Sequence, residues 1–480
     1  MRTQNTVSPG TNKEASRQTE VAWIPCRRDC LVVILIFAAA FVAYALIWPQ
    51  APLQSLDSPT YMRLAREIKA GNITELPLRT PGFPILLILT GSEAEPTRLL
   101  FYVSLFLHFT ATGLLAYLLY RLGIDRRLIL AMVLIASLPP YLEASAFADS
   151  DNLCGFMVVV TMVSAAFWRM SGRRTLLWIF AAGALATALV RPTYQFLVLA
   201  MAAAVFAAHL AGIGKGGSLL KLTKAMAVPI LVSVCGLGGY AAYNYARFGY
   251  FDVSAMTPYT LSTKTASFVE CLPDEYSDIR QILMQHRDRE LLTPFEDHTA
   301  QKYIHRAMPE IIQLFGNDQV RALLAVKRAN IYLISHRPMS YLIESLKSLT
   351  TYWLPMEYGL SNGDSAVLRA FWAALQMAVV FLLLSLAIVM AGGAAIYLGL
   401  RIWIRLSPSL LPRTTNQLVT YLLGMTIIGY SALISCFAGM GIPRYRVTSN
   451  LVILACCLLG LTLFWRLITY LGALIKRSEA

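Results

Sequence analysis

Apolar blocks of about twenty residues with almost no charge recur along the chain, and they constrain the fold more than any other feature. A helix of that length crosses a hydrocarbon core of roughly 30 Å. Hydrophobic residues make up 57% of the 480 residues and charged residues 14%, whereas an ordinary soluble domain has about 25% charged residues. The composition therefore excludes a typical cytosolic globular protein and predicts an all-α, multi-pass membrane protein.

The blocks predict about ten or more transmembrane helices. The expected spans are residues 31–48, 98–120, 128–142, 153–169, 175–190, 193–213, 225–246, 368–400, 417–438 and 448–467. The first block is too long for the apolar region of a signal peptide, so we expect it to be retained. Residues 1–30 begin with a stretch rich in Thr, Ser and Gln, which predicts a disordered tail.

Basic residues indicate the orientation of the chain. The 41 Lys and Arg against 27 Asp and Glu give a formal charge of +14. They form short clusters at alternate connections between apolar blocks, and the positive-inside rule assigns such clusters to the cytoplasm. Both terminal segments fall on that side, so we expect a plasma (inner) membrane protein with two cytoplasmic termini. Because no continuous basic stripe is present, we expect no nucleic-acid partner.

Most of the conspicuous polar residues fall on the opposite side of the membrane. Four segments lie there: a first outer loop (49–97), a second outer turn (143–152), a large loop (247–366) and a last outer turn (439–447). The spans themselves hold few ionisable residues beyond His108 and His209. A single histidine in a span is more often packed or hydrogen-bonded to a backbone carbonyl than functional, and we favour that interpretation for both.

The first outer loop carries two motifs. The first is Asp57-Ser58-Pro59-Thr60-Tyr61, where apolar residues then recur at three- and four-residue spacing and predict a short amphipathic helix along the membrane surface. Asp57 would stand at the start of that helix, where capping is the ordinary structural role. The second motif is Arg79-Thr80-Pro81-Gly82-Phe83-Pro84, whose bend would hold Arg79 at the interface. A lone arginine there usually extends its charge to the headgroups.

The order and spacing of these motifs after the first span resemble the first extracytoplasmic loop of the GT-C glycosyltransferases. The resemblance is greatest to the protein O-mannosyltransferases and the bacterial aminoarabinose transferases of lipid A. Three later elements add to it. They are Ser150-Asp151-Asn152-Leu153, similar to a family element that has Glu where this chain has Asp151; the turn Arg191-Pro192-Thr193; and Arg444-Tyr445-Arg446 in the last outer turn. Asp149 and Glu143 are alternatives for the acidic position, and a solvated span end is the ordinary interpretation of all three acids.

The resemblance implies a membrane glycosyltransferase that moves a sugar from a polyprenyl-phosphate donor to an acceptor at the extracytoplasmic face, in one inverting step. Residues 31–246 would form the catalytic transmembrane module, 247–366 a large extracytoplasmic loop region and 367–480 the C-terminal transmembrane helices. Such a transfer needs a carboxylate for the acceptor hydroxyl, cations for the leaving phosphate and an apolar groove. The candidates are Asp57 as base, Asp151 as a second orienting carboxylate, Tyr61 in the sugar pocket, and Arg79, Arg191, Arg444 and Arg446 around the phosphate.

Several points stay open at this stage. The acceptor is a glycolipid such as lipid A, a polysaccharide or a protein, and membrane lipids surround the chain. No histidine pair has a recognisable zinc spacing, so no cofactor is certain and a divalent cation remains an alternative. A flippase of lipid-linked saccharides would favour internal repeats with broken spans, which the sequence lacks. A polysaccharide polymerase or ligase is the other alternative, and it does not require the Asp-x-x-Tyr loop.

Overall fold

The computed structural model describes residues 27–47, 51–55, 57–211, 213, 218–291, 300–355, 366–404, 412–439 and 443–478. Over these residues the chain is helical and contains no strand, apart from one isolated parallel bridge between Leu53 and Phe147. The expected all-α architecture is therefore confirmed. Most of the predicted tail, residues 1–26, lies outside the described residues.

Helices follow one another with short connections through the described chain. In chain order they are α1 (Arg27–Ile47), α2 (Ser58–Lys69), α3 (Gly82–Leu89), α4 (Arg98–Arg121), α5 (Arg126–Ala136), α6 (Pro139–Leu142), α7 (Asp151–Ser171), α8 (Arg174–Val190), α9 (Leu197–Leu210), α10 (Leu219–Phe248), α11 (Thr257–Thr265), α12 (Ser277–Leu291), α13 (Ala300–Leu314), α14 (Gln319–His336), α15 (Pro338–Tyr352), α16 (Ala366–Ile404), α17 (Pro412–Phe437) and α18 (Asn450–Ser478). A 3₁₀ turn, Pro443–Ser449, leads into α18.

Eight helical segments of the described chain are long and apolar enough to cross a membrane, so this is a membrane protein, but ten or more spans are not supported. The segments contain α1, α4, α7, α9, α10, α16, α17 and α18. Near Pro139 the chain bends by 68° after α5, which makes α5 and the residues that follow at most one broken span. Proline disfavours helical backbone in the residue before it, which accounts for the break. With 17 residues, α8 is only about 25 Å long, short of a core of roughly 30 Å.

The centre of the bundle is formed by α7, which packs against α4, α8 and α17, while α18 packs against α16 and α17. Val158, Met162, Val452 and Leu459 are fully buried there. Within a membrane, such contacts hold helices together by close packing, because lipid chains are as apolar as the side chains. The ring of His108 lies 2.8 Å from the carbonyl oxygen of Ala136, in agreement with the packed, backbone-bonded role expected for it.

The large loop region has a second hydrophobic core, built from α11 to α14. Tyr303, Ile311 and Leu323 are buried in it, together with Leu76 of the first outer loop. The hydroxyl of Ser254 also donates a hydrogen bond of 2.8 Å to the carbonyl of Leu78. The segment that leads to Arg79 is thus fixed to the large loop.

The apolar face of α2 is buried inside the protein. Tyr61, Met62, Leu64 and Ala65 are buried, and α2 packs against α3. The amphipathic helix expected at this position is present. After the Pro81-Gly82 bend, α3 returns to cover its apolar face.

Gly82 lies where α3 meets the end of α8. A Cβ at this position would come within 2.7 Å of the Leu189 carbonyl oxygen and of a Val190 methyl group. We expect Gly82→Ala to push α3 away from α8 and to lower the free energy of unfolding by about 1–3 kcal/mol. Unfolding in detergent measures this. Gly238→Ala in α10 is the matched control, because its Cβ would meet nothing within 4 Å, and equal stability of the two variants would contradict the close approach.

Candidate functional site

Hydrogen bonds join the first outer loop to the turn before α7. The amide of Leu53 donates to the carbonyl of Ala146 at 2.7 Å, and the amide of Ala148 donates to the carbonyl of Leu53 at 2.9 Å. The hydroxyl of Ser58 donates to the carbonyl of Ala148 at 2.8 Å. The start of α2 is therefore fixed beside the acidic residues that begin α7.

Asp57 stands at the N-terminus of α2, but its carboxylate makes no capping hydrogen bond to the helix. The capping interpretation of this residue is therefore wrong, and the carboxylate instead accepts a hydrogen bond from Arg79. Arg79 also donates through Nε to Thr60 Oγ1 at 3.2 Å, and its guanidinium lies 5.0 Å from the centre of the Tyr61 ring. Protein side chains, rather than headgroups alone, thus position Arg79.

Arg444 contacts three carboxylates at once. Its guanidinium nitrogens lie 3.1 Å from Asp57 Oδ2, 2.5 Å from Asp149 Oδ2 and 2.9 Å from Asp151 Oδ2. Asp149 and Asp151 are buried, with 4% and 2% of their side chains exposed. The interpretation of these two acids as a solvated span end is therefore wrong.

Arg191 completes the arrangement from the end of α8. It pairs with Asp151 and is itself buried, and its guanidinium lies 5.3 Å from the centre of the Tyr445 ring. The Tyr61 hydroxyl lies 2.9 Å from Ser150 Oγ. Six residues form what we call the Asp–Arg cluster: Asp57, Asp149, Asp151, Arg79, Arg191 and Arg444.

The carboxylates of the cluster differ in their affinity for protons. Burial raises the pKa of Asp57, but the charges of Arg79 and Arg444 outweigh it and hold the pKa below its ordinary value. Burial also raises the pKa of Asp149, and the nearby charges of Asp151 and Asp57 raise it further against the effect of Arg444, so that it lies above its ordinary value. Asp57 is thus kept ionised, while Asp149 is the carboxylate that protonates more readily.

The structure places Arg446 outside the Asp–Arg cluster. Its guanidinium donates to the carbonyl of Tyr352 at 3.0 Å and to Gln376 Oε1 at 3.4 Å, and the residue is 2% exposed. Arg446 is thus hydrogen-bonded on the Tyr352 side of the turn, whereas Arg444 pairs with the carboxylates of the cluster. Residues two apart in a 3₁₀ turn are separated by about 240° around its axis, so their side chains leave in different directions.

The large loop contributes residues that the sequence did not point to. The His305 ring of α13 stacks on Tyr259 of α11, with ring centres 4.9 Å apart. Burial lowers the pKa of His305, the charge of Arg79 lowers it further and that of Asp57 opposes this. His305 therefore lies within electrostatic reach of the Asp–Arg cluster. No spacing in the sequence signals this, because α13 and the first outer loop meet only in the tertiary fold.

The carboxylates of the cluster face a guanidinium group. Within the described part of the chain, no three His, Cys, Asp or Glu side chains are grouped in a way that would hold a metal ion. The carboxylates of Asp57, Asp149 and Asp151 converge, but the guanidinium of Arg444 occupies the position between them. A positive charge is thus already supplied there by the protein.

No protein-family model and no curated protein sequence matches the chain. Among solved structures, it is similar to the archaeal oligosaccharyltransferase AglB from Archaeoglobus fulgidus in complex with an inhibitory peptide and a dolichol-phosphate, with 16% identity over 93% of this chain and 52% of that one, at a TM-score of 0.47. It is also similar to the apo form of the Archaeoglobus fulgidus oligosaccharyltransferase, with 16% identity over 95% of this chain and 52% of that one, at a TM-score of 0.48. The chain spans about half the length of these structures.

Proposed function

We propose that this chain is a membrane glycosyltransferase of the GT-C type, which moves a sugar from a polyprenyl-phosphate donor to an acceptor at the extracytoplasmic face of the membrane. The observation that carries the proposal is the Asp–Arg cluster. Three of the four segments whose motifs resemble the family meet at Arg444: the first outer loop, the start of α7 and the last outer turn. The fourth, the turn at Arg191, joins them through Asp151. The branch of the family, the donor sugar and the acceptor are left to experiment.

The arginines of the cluster suit a leaving phosphate. Arg79, Arg191 and Arg444 belong to three different elements, and each is paired with a carboxylate. Arg79 and Arg191 also lie against aromatic rings. Guanidinium groups bind phosphate oxygens through paired hydrogen bonds, and preorganised cations stabilise the charge that develops on a leaving group. Tyr61, beneath Arg79, would form a wall of the sugar pocket.

The role of base falls to Asp57. The acceptor hydroxyl oxygen attacks the anomeric carbon as the bond from that carbon to the phosphate oxygen breaks, and Asp57 takes the hydroxyl proton. The ionised state of Asp57 prepares it to accept that proton. When the phosphate engages Arg79 and Arg444, their attraction for the Asp57 carboxylate weakens and it becomes a stronger base. Asp151, held by Arg191 and Arg444, keeps the arginines in position.

Mass spectrometry of surface glycans and glycolipids tests the proposal in cells with and without the chain. We expect the mass of one sugar to be missing from one acceptor in the deletion and to return with the wild-type gene, which would identify sugar and acceptor together. Accumulation of full-length lipid-linked saccharide in the deletion would instead favour a polymerase, ligase or flippase. Identical glycan profiles in both strains would contradict all of these functions.

A further inference from the structure

The Asp–Arg cluster is electrically balanced before any substrate binds. Three carboxylates face three guanidinium groups, and each guanidinium is paired with at least one carboxylate. A phosphate that binds here adds a negative charge to a largely buried site. An uncompensated charge in such surroundings is costly, so the site must lose a carboxylate charge or gain a proton when the phosphate arrives.

Asp149 is the carboxylate best suited to leave its arginine and become protonated when a phosphate binds. In the described residues Asp149 forms its ion pair with Arg444. The other two carboxylates each have a second arginine partner: Asp57 also pairs with Arg79, and Asp151 also pairs with Arg191. The Asp149 side chain is 4% exposed. If Arg444 turned to a phosphate, Asp149 would keep no cation at contact distance, and an unpaired buried carboxylate takes up a proton.

Groups from several elements bear on Asp149. Arg444 faces it from the turn before α18, Asp57 and Tyr61 from the start of α2, Arg79 from the segment before α3 and Asp151 from α7. The charges of Asp57 and Asp151 already favour protonation of Asp149, and the charge of Arg444 is the largest effect against it. Transfer of Arg444 to a phosphate would therefore remove the main obstacle to protonation.

We infer that, before the donor binds, the Asp149 carboxylate occupies the position of the donor phosphate on Arg444. The phosphate then replaces this carboxylate, and Asp149 takes up one proton from the solvent as this happens. The exchange leaves the total charge of the site unchanged. Asp149 is on this view a positioning residue, and the inference rests on the proposed function, since it presupposes that a lipid phosphate binds at Arg444.

Proton uptake fixes the sign of the pH dependence. A ligand whose binding takes up a proton binds more tightly as the pH falls, by at most about tenfold per pH unit. The probe must not titrate itself, so a phosphomonoester is unsuitable because it loses a second proton near pH 6. The methyl ester of a polyprenyl phosphate carries one charge throughout and is the suitable probe.

Calorimetry with the purified full chain in detergent measures binding of this ester between about pH 6 and pH 8, in two buffers of different ionisation heat. We expect wild type to bind more weakly as the pH rises, with up to one proton taken up. Asp149→Asn should bind about tenfold tighter than wild type near pH 8, without pH dependence or proton uptake. Asp274→Asn, a change at a side chain that is 97% exposed, should behave like wild type.

Two outcomes would overturn the inference in different ways. If wild type binds the ester with pH-independent affinity, or if folded Asp149→Asn keeps the pH dependence, Asp149 does not exchange with phosphate although the proposed phosphate site stands. If neither protein binds the ester at any pH, the proposed function loses its donor site and the inference falls with it. Gel filtration and thermal unfolding establish that Asp149→Asn is folded before either conclusion is drawn.

Discussion

Replacement of Asp57 by Asn is expected to reduce sugar transfer by about 100- to 10,000-fold while donor binding is retained, because the change removes the proton acceptor and leaves the arginines in place. Asn has nearly the same shape and keeps one oxygen that can accept the hydrogen bond from Arg79. It also removes a carboxylate that competes with phosphate for Arg444, which lies 3.1 Å away. Donor affinity should therefore stay the same or increase.

Two measurements separate the chemical role of Asp57 from a structural one. Mass spectrometry of the acceptor from complemented deletion cells reports transfer, and calorimetry with the methyl ester of a polyprenyl phosphate reports donor binding. Asp274→Asn again serves as the control for loss of one carboxylate. Normal transfer by a folded Asp57→Asn protein would eliminate Asp57 as the base, and loss of ester binding together with transfer would make it a residue that shapes the site.

The features that the sequence predicted well are those set by local periodicity. Helix-length apolar blocks and the amphipathic α2 follow from residue spacing, which acts within a few turns of chain. The error in the number of spans also has a local cause. Pro139 and Pro140 interrupt an apolar block that, by composition alone, is predicted to be one continuous helix. Length and apolar character predict a helix, but they do not predict where it bends.

The features that the sequence could not predict depend on contacts between distant segments. Arg444 reaches Asp151 across 293 residues of sequence, and only the packing of α7 against the last outer turn brings the two together. The same packing separates Arg446 from Arg444. Family resemblance indicated most of the cluster residues, but it did not indicate that Asp149 is paired rather than solvated.

Arg444→Gln is expected to have the largest effect on stability and also to reduce transfer. It leaves the cluster with three carboxylates and two guanidinium groups, and the loss of one partner from a buried ion pair costs about 3–5 kcal/mol. Loss of a preorganised donor to the leaving phosphate should lower transfer by at least about 100-fold. Unfolding in detergent and mass spectrometry of the acceptor measure the two effects.

Arg446→Gln is the matched control, because it removes the same charge two residues away. Arg446 donates a hydrogen bond to the Tyr352 carbonyl, so the loss of this bond should cost about 1–3 kcal/mol of stability. Binding of the phosphate ester should stay unchanged. Asp149→Asn added to Arg444→Gln should recover part of the lost stability, since it removes the carboxylate whose ion pair is with Arg444. If Arg446→Gln abolished ester binding and Arg444→Gln did not, the phosphate site would lie on the Tyr352 side of the turn, and the Asp–Arg cluster would be structural.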